Sequence, residues 1–262
     1  MNAFVLIIGG GDLATGITHR LFSCGFDVAV TELEKPRMVR RTVCFGTAVY
    51  EGSIEVEGVK AVKTDKLSLP LNNVVPVLAA PDLSVLKKYR PDIIIDAKMA
   101  KKQAADIKNL ADFTVGIGPG FNAGENVHAV VETKRGLDLG RVYFKGSAIA
   151  DTGIPEFVLG KGAERVLRSP AQGFLKNISQ IGDRVKQGQI LASVGGIELL
   201  SPFDGCLRGL ACEGLFVEKG EKIGDVDPRT DADCYKISDK ARAVGGGVLE
   251  AILSFFEWKL VK

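Results

Sequence analysis

Residues 7–16 read IIGGGDLATG, an apolar run, three glycines and the start of a helical stripe. The reading of this turn decides the fold expected for the first half of the chain. AFVLII (3–8) is a continuous apolar run of strand length, as in a strand buried on both faces. Beyond the glycines, Leu13, Ile17 and Leu21 recur at helical spacing, and Gly25 ends that stripe as a C-cap residue does. FDVAVT (26–31) is a second strand, followed by Glu32. Gly9, Gly11 and Ala14 satisfy G-x-G-x-x-[GA], and Glu32 stands 21 residues after Gly11, where an acid meets a ribose hydroxyl. Strand, glycine turn, helix, strand and acid are the parts of the first βαβ unit of a dinucleotide fold.

Such a turn lets the backbone approach a pyrophosphate, and a helix N-terminus offers N–H groups and a positive dipole end. The dipole contributes at most about 2 kcal/mol, so an adenosine pocket and a ribose contact are also required. Asp12 places a negative charge beside the proposed phosphate, unless it caps the helix. Arg37, Arg40 and Arg41 could bind a 2′-phosphate or another anion. A tight βα turn without any ligand explains the same glycines.

Working outward, VVPVLAA (74–80) reads as a strand, with Pro76 suggesting an edge or a bulge. LSVLKKYR (83–90) reads as a short helix and DIIIDA (92–97) as a buried strand with Asp96 and Lys98 at its end. FTVGIGPGFNAGENVHAVVETKRG (113–136) repeats the opening logic of strand, glycine loop and helix. In open α/β sheets ligands lie beyond the carboxyl ends of the strands, where two glycine loops, Glu32 and Asp96–Lys98 converge. The candidate cofactor-binding residues are therefore Gly9, Gly10, Gly11, Asp12, Glu32, Gly118, Gly120 and Asn122, with NAD(P) or another nucleotide as the candidate cofactor. His128 and Glu132, four apart on the expected helix, could be metal ligands or an acid–base pair, but no third ligand is evident and no metal site is expected. Asp151-Thr152-Gly153 matches the local signature of aspartic proteases, which an α/β setting does not suit; a turn explains it equally well.

The chain has 262 residues, 46% hydrophobic and 25% charged, an ordinary globular composition. A net charge of +2 does not suggest a nucleic-acid or membrane surface. No apolar run reaches the roughly 18 residues of a membrane helix, and the first one is too short for a signal-peptide core. A cytoplasmic protein is expected. The five cysteines form no CxxC and read as reduced thiols; Cys234 is a candidate sulfur or selenium handler.

The second half repeats itself. SPAQGFLKNISQIGDRVKQGQILASV (169–194) aligns without a gap on SPFDGCLRGLACEGLFVEKGEKIGDV (201–226), offset by 32 residues and with eight identities. Such a repeat is a duplicated structural unit, and short strands between glycine turns read as a small two-fold β-barrel. V-x-x-G-x-x-[IL]-x-x-V with a duplicated S-P-x-x-G resembles the biotinyl/lipoyl barrel-sandwich domain over roughly residues 165–228. The stretch joining the copies, GGIELL (195–200), lacks the lysine that carriers modify, so a docking role rather than a swinging arm is implied. In GGGVLEAILSFFEWKL (245–260), Leu249, Ile252, Leu253 and Phe256 lie at helical spacing, so a closing helix is expected to pack on a core or a partner.

Four long strings, GGGDLATG (9–16), TELEKPRMVRRTVCF (31–45), GPGFNAGENVHAVVETKRG (118–136) and KIGDVDPRTDADCYKISDKARAVGGGVLEA (222–251), are similar to the selenium-dependent molybdenum hydroxylase system protein family (YqeB-type). The resemblance implies an accessory or maturation role for a molybdenum hydroxylase rather than a defined reaction. The expectation is thus an α/β, Rossmann-like parallel-sheet domain (1–160), a biotinyl/lipoyl-like barrel-sandwich domain (161–230) and a C-terminal segment with a closing helix (231–262). The implied partners are a molybdenum hydroxylase or its maturation machinery and a small phosphate-bearing ligand, with no nucleic acid and no membrane; a homo-oligomer is expected. An NAD(P)-dependent oxidoreductase and a non-enzymatic docking scaffold stand as alternatives.

Overall fold

A computed structural model describes residues 3–260 except 69–70, 72, 100–103, 151–152 and 154–156, with side chains described as far as residue 256. The chain forms two compact units. The first comprises Met1–Pro36, Cys44–Asp151 and Ile237–Lys262, and the second Arg37–Val43 and Thr152–Lys236.

The first unit is built on one sheet. Its strands are β1 (Phe4–Ile8), β2 (Asp27–Glu32), β3 (Ser53–Val56), β4 (Val59–Lys63), β5 (Val75–Ala79), β6 (Ile93–Asp96), β7 (Phe113–Ile117), β8 (Ala129–Val131) and β9 (Val142–Tyr143). Its helices are α1 (Asp12–Ser23), the single turn α2 (Ala48–Glu51) and α3 (Asp239–Leu260). The spatial order is β3-β4-β5-β2-β1-β6-β7-β8-β9. β1 is central because FVLII is apolar at every position and buried throughout. The chain leaves β1 through α1 to β2 on one side, and β6 pairs on the other, so the strand order reverses between β1 and β6. The carboxyl ends of β1, β2, β6, β7 and β8 share one edge.

This architecture corrects the expected Rossmann-like parallel-sheet domain. The sheet is mixed, because β3/β4 and β8/β9 are antiparallel. Of the expected crossover helices only α1 is formed. The stretch read as a helix over 83–90 makes one 3-10 turn, Ser84–Lys87, preceded by Leu83 at φ +56°. The stretch after the second glycine loop is the strand β8, not a helix: Val127, Ala129, Val130 and Val131 are all buried, and β-branched residues suit a strand covered on both faces. Pro76 lies in an interior strand, not on an edge. Its missing N–H is tolerated because the ladder to β2 begins one residue later, at Val77 opposite Val30.

Helix α3 lies against α1, and the approach is close because glycines face it. A Cβ on Gly16 would stand 2.6 Å from the Ala241 carbonyl oxygen, one on Gly245 would stand 2.9 Å from the Gly16 carbonyl oxygen, and one on Gly247 would stand 2.1 Å from that of Gly140. The buried stripe runs Ala241, Val244, Val248, Ala251 and Ile252, so of the expected positions only Ile252 lies in it.

The second unit contains β10 (Val166–Arg168), β11 (Gly173–Asn177), β12 (Arg184–Val185), β13 (Ile190–Val194), β14 (Ile197–Leu200), β15 (Gly205–Leu210), β16 (Phe216–Val217) and β17 (Lys222–Asp227). They form two four-stranded antiparallel sheets, β10-β17-β15-β12 and β14-β13-β11-β16, with no ladder between the two. This corrects the expected biotinyl/lipoyl-like barrel-sandwich. The repeat offset of 32 residues places Gly173 of β11 on Gly205 of β15 and Val185 of β12 on Val217 of β16, so corresponding strands lie in different sheets. Accordingly Gly173 faces Val217 while Gly205 faces Val185, so each copy's first strand pairs with the other copy's second. The joining glycine turns repeat as well, with Gly182 N–H donating to the Leu207 carbonyl and Gly214 N–H to that of Leu175, both at 2.8 Å.

Candidate functional site

The carboxyl edge of the first unit holds most of the residues singled out from the sequence. Gly9 follows β1 at φ +100°, a conformation that favours glycine, and its amide donates to the Thr31 carbonyl at 2.8 Å. Gly10 N–H donates to Glu32 Oε2 at 2.7 Å, and Leu33 N–H donates to Glu32 Oε1 at 2.7 Å. The Gly46 amide donates to the Gly10 carbonyl at 2.9 Å, and a Cβ on Gly10 would stand 2.7 Å from the Gly46 nitrogen. Behind it, Phe45 N–H donates to the buried Thr15 hydroxyl at 2.8 Å. The glycine turn is therefore packed against residues 45–46 and closed by Glu32.

This geometry corrects the nucleotide-binding expectation. A dinucleotide turn needs a free acid for the ribose and open backbone amides for the pyrophosphate. Here both carboxylate oxygens of Glu32 are engaged by backbone amides, one of them the turn's own. Gly11, the N-cap of α1, makes no side-chain cap, and a Cβ there would meet nothing within 4 Å. Asp12 sits in the first turn of α1 rather than capping it, and the Ser238 hydroxyl donates to its Oδ2 at 3.4 Å.

Asp96 ends β6, in register with Ile8 and Gly116, and is 1% exposed. Lys98 Nζ is 3.1 Å from Asp96 Oδ2, and the Lys98 amide donates to Oδ1 at 3.1 Å. Burial raises the Asp96 carboxyl above the ordinary range, against the Lys98 ammonium that lowers it. The strip 97–99 joins the two glycine turns. A Cβ on Gly9 would stand 3.5 Å from Ala97 and Lys98 backbone atoms, and one on Gly118 would stand 2.9 Å from Thr133 Oγ1 and 3.4 Å from Met99 Sδ. Glu132, fully buried after β8, accepts the Thr133 and Lys134 amides through Oε1 and the Ile149 amide through Oε2, each at 2.7 Å. It organises the loops beside Gly118. The residue type gave no sign of this role, which depends on amides from two loops.

Gly120 and Asn122 are placed elsewhere. They line an open cleft of about 480 Å³ with Ala104, Asp106, Phe121, Glu125, Asn126 and Ser147, and none of Gly9, Gly10, Gly11, Asp12, Glu32 or Gly118 lines it. The Asn122 amide donates to Asn126 Oδ1 at 2.8 Å. Two carboxylates, Asp106 and Glu125, stand on its wall. His128 and Glu132 flank β8 rather than share a helix face. The Thr114 amide donates to His128 Nδ1 at 3.1 Å, and burial lowers the His128 pKa, favouring the neutral ring. Among the described residues no cluster of three or more His, Cys, Asp or Glu could hold a metal.

Arg37, Arg40 and Arg41 belong to the second unit. Arg37 pairs with Glu221 at 2.6 Å, Arg40 donates to the Lys236 carbonyl at 3.1 Å, and Arg41 donates to the Leu210 carbonyl at 2.8 Å. Each cation is thus engaged within that unit. Cys234 is also there, 1% exposed. Asp151 and Thr152 of the protease-like triplet lie outside the described residues. No helix among the described residues is long and apolar enough to cross a membrane.

No protein-family model matches the chain. Among solved structures, it is similar to an aspartoacylase family protein from Mesorhizobium loti (10% identical, 87% of this chain and 85% of that one, TM-score 0.29) and to a succinylglutamate desuccinylase/aspartoacylase from Rhodobacter sphaeroides (14%, 88% and 87%, TM-score 0.28). Sequence similarity is stronger: the uncharacterized protein YqeB of Escherichia coli (strain K12) is 42% identical over 257 residues, 96% of this chain. The chain spans about half the length of that relative, 48%. Along nearly all of its own length, this chain is similar to YqeB.

Proposed function

We propose that the chain is an accessory protein in the maturation of a selenium-dependent molybdenum hydroxylase, and that the carboxyl edge of its mixed sheet holds a small phosphate-bearing cofactor precursor. The observation that carries the ligand part is the Lys98 ammonium, held 3.1 Å from buried Asp96 where the strand order reverses. Ligands of open sheets collect at such a reversal. Lys98 supplies the cation and Asp96 orients it, and the Gly9 turn that leads into α1 lies against the Lys98 backbone. The maturation part rests on the resemblance of the four long strings to the YqeB-type family. The arrangement supports binding of a ligand, without a named reaction.

The test is deletion of the gene in its host, with hydroxylase protein level and specific activity measured separately. Unchanged protein with lost activity is the expected result, and complementation by a Lys98→Ala variant should fail. A hydroxylase with full metal content and turnover in the deletion strain would overturn the reading.

A docking scaffold is a second reading, favoured by one observation. Phe174 and Phe216 face each other across β11 and β16 with ring centroids 5.3 Å apart, yet are 66% and 43% exposed. Exposed aromatic pairs mark contact sites more often than lone apolar residues do. If the hydroxylase docks there, replacing both by serine abolishes its co-purification without unfolding the chain; unchanged co-purification would remove this reading.

A further inference from the structure

Two thiols distant in sequence meet inside the second unit. Cys206 lies on β15, opposite Arg184 of β12 and Asp227 of β17. Cys234 lies in the irregular stretch that follows β17. Their sulfurs are 3.5 Å apart, and the residues are 2% and 1% exposed. That separation is a thiol–thiol hydrogen bond, against about 2.05 Å in a disulfide. Both thiols also reach one acceptor, the Ala232 carbonyl oxygen, at 3.4 Å from Cys234 and 3.8 Å from Cys206.

The surroundings say which partner moves. Cys206 is fixed by ladders on both sides. Cys234 is in no ladder; the Thr42 hydroxyl holds its carbonyl at 2.5 Å, and Arg40 holds that of Lys236 at 3.1 Å. An approach of about 1.5 Å, the difference between contact and bond, falls to the Cys234 side chain and its stretch.

We propose that Cys206 and Cys234 are joined as a disulfide when the protein meets hydrogen peroxide, and that this bond fastens the stretch after β17 to β15. One sulfur, as thiolate, attacks a peroxide oxygen. The O–O bond breaks, a sulfenic acid forms, and the departing hydroxide takes up the thiol's proton as water. The second sulfur then attacks the sulfenic sulfur, the S–S bond forms, and the S–O bond breaks with loss of water. In sum two thiols and one peroxide give one disulfide and two waters. The two sulfurs give up two electrons and the peroxide accepts them.

Burial sets the pace of the first step. It pushes the Cys234 thiol up to about 12, with the hydrogen bond to Cys206 acting in the same direction. A scarce thiolate reacts slowly, so the pair answers sustained rather than brief exposure. Cys24, which is exposed, should be oxidised first.

The whole chain is exposed to hydrogen peroxide over hours, denatured with N-ethylmaleimide, digested without reduction and mapped by mass spectrometry. The expected product is a Cys206–Cys234 cross-linked peptide, lighter by two hydrogens and cleaved by dithiothreitol, with Cys44 recovered as its maleimide adduct. Recovery of Cys206 and Cys234 as adducts after Cys24 has been fully oxidised would overturn the proposal, as would a Cys234 sulfinic acid without a cross-link. Tryptic cleavage after Arg229 and Lys236 should slow about tenfold in the cross-linked protein, because cleavage tracks local opening. Equal cleavage would overturn the fastening. A Cys234→Ser variant, if folded, should show no peroxide effect on cleavage; the mapping of the unaltered chain stands without it.

Discussion

The Gly10 amide donates to Glu32 Oε2 across 2.7 Å, so the acid at the end of β2 closes the glycine turn from within the protein. Replacing Glu32 by glutamine sets an NH2 group against one of the two amide donors that the carboxylate satisfies. A buried donor left without an acceptor costs about 1–3 kcal/mol. Urea denaturation of Glu32→Gln should show a loss of that order, and calorimetry of the unaltered chain with NAD(P)H should show no heat of binding. A stable variant, or micromolar dinucleotide binding, would contradict the closed turn.

Gly247 lets α3 lie against the turn at Gly140. Alanine there improves helix propensity by about 1 kcal/mol, but its Cβ would stand 2.1 Å from the Gly140 carbonyl oxygen. The clash outweighs the gain, and a net loss of about 1–3 kcal/mol is expected. Gly246, with nothing within 4 Å of its Cβ, is the matched control; alanine at 246 should stabilise. The two variants should therefore move the thermal midpoint in opposite directions.

Asp96 gives a pH signature. Burial raises its folded-state pKa above the ordinary 3.8, so its ionised form weighs against folding at neutral pH. Stability is then gained as pH falls through the folded pKa toward the unfolded one, the reverse of a salt-bridged acid. Asn at 96 keeps an acceptor for the Lys98 amide and removes the charge. Asp96→Asn should raise the midpoint at pH 7, and the gain should vanish as pH approaches about 4. If Lys98 serves a ligand, the same variant should bind it less well while being more stable.

Asp239, bound to Arg135, behaves in the opposite sense. The hydrogen bond from Arg135 lowers its carboxyl from 3.8 to about 2, against the opposing effect of burial. The stabilisation is present above the unfolded pKa and is lost as pH falls from 3.8 toward 2. Asp239 is 71% exposed, so solvent screens the pair. Arg135→Ala should therefore lower the neutral plateau slightly and flatten the acid limb, with stability near pH 2 almost unchanged; an acid limb as steep as that of the unaltered chain would show that Arg135 does not act through Asp239.

The sequence made some elements plain and hid others for definite reasons. FVLII is apolar at every position, IIID is apolar up to its last residue Asp96, and α1 carries a one-sided stripe that ends before Gly25, so the patterns fall where these elements stand. β8 was read as a helix because a segment buried on both faces has no polar side to reveal its period. Spacing places the acid Glu32 at the end of β2, where a ribose contact is expected, but does not reveal the Gly10 and Leu33 amides that it accepts. Asp96 and Lys98 could be placed at the edge from sequence, whereas their 3.1 Å pairing depends on the turn of the backbone after β6. Glu132 takes its importance from amides in two loops, and Cys206 and Cys234, 28 residues apart, meet only because the irregular stretch after β17 folds back on β15.

The exchange of strands between the repeated copies has a consequence for the origin of the second unit. Exchanging the two copies, 32 residues forward for one partner and 32 back for the other, turns the β11–β16 pairing into β15–β12 and the β13–β14 pairing into β17–β10, with Gly195 and Gly196 at the seam. A single copy leaves its first and second strands without the partners that the other supplies. Two separate molecules of one copy would complete each other in the same way. The unit thus has the form of an intertwined homodimer whose two chains became one gene, and a peptide of either copy should associate in pairs or not fold. Sedimentation of such peptides would decide between that ancestry and a fold built in one piece.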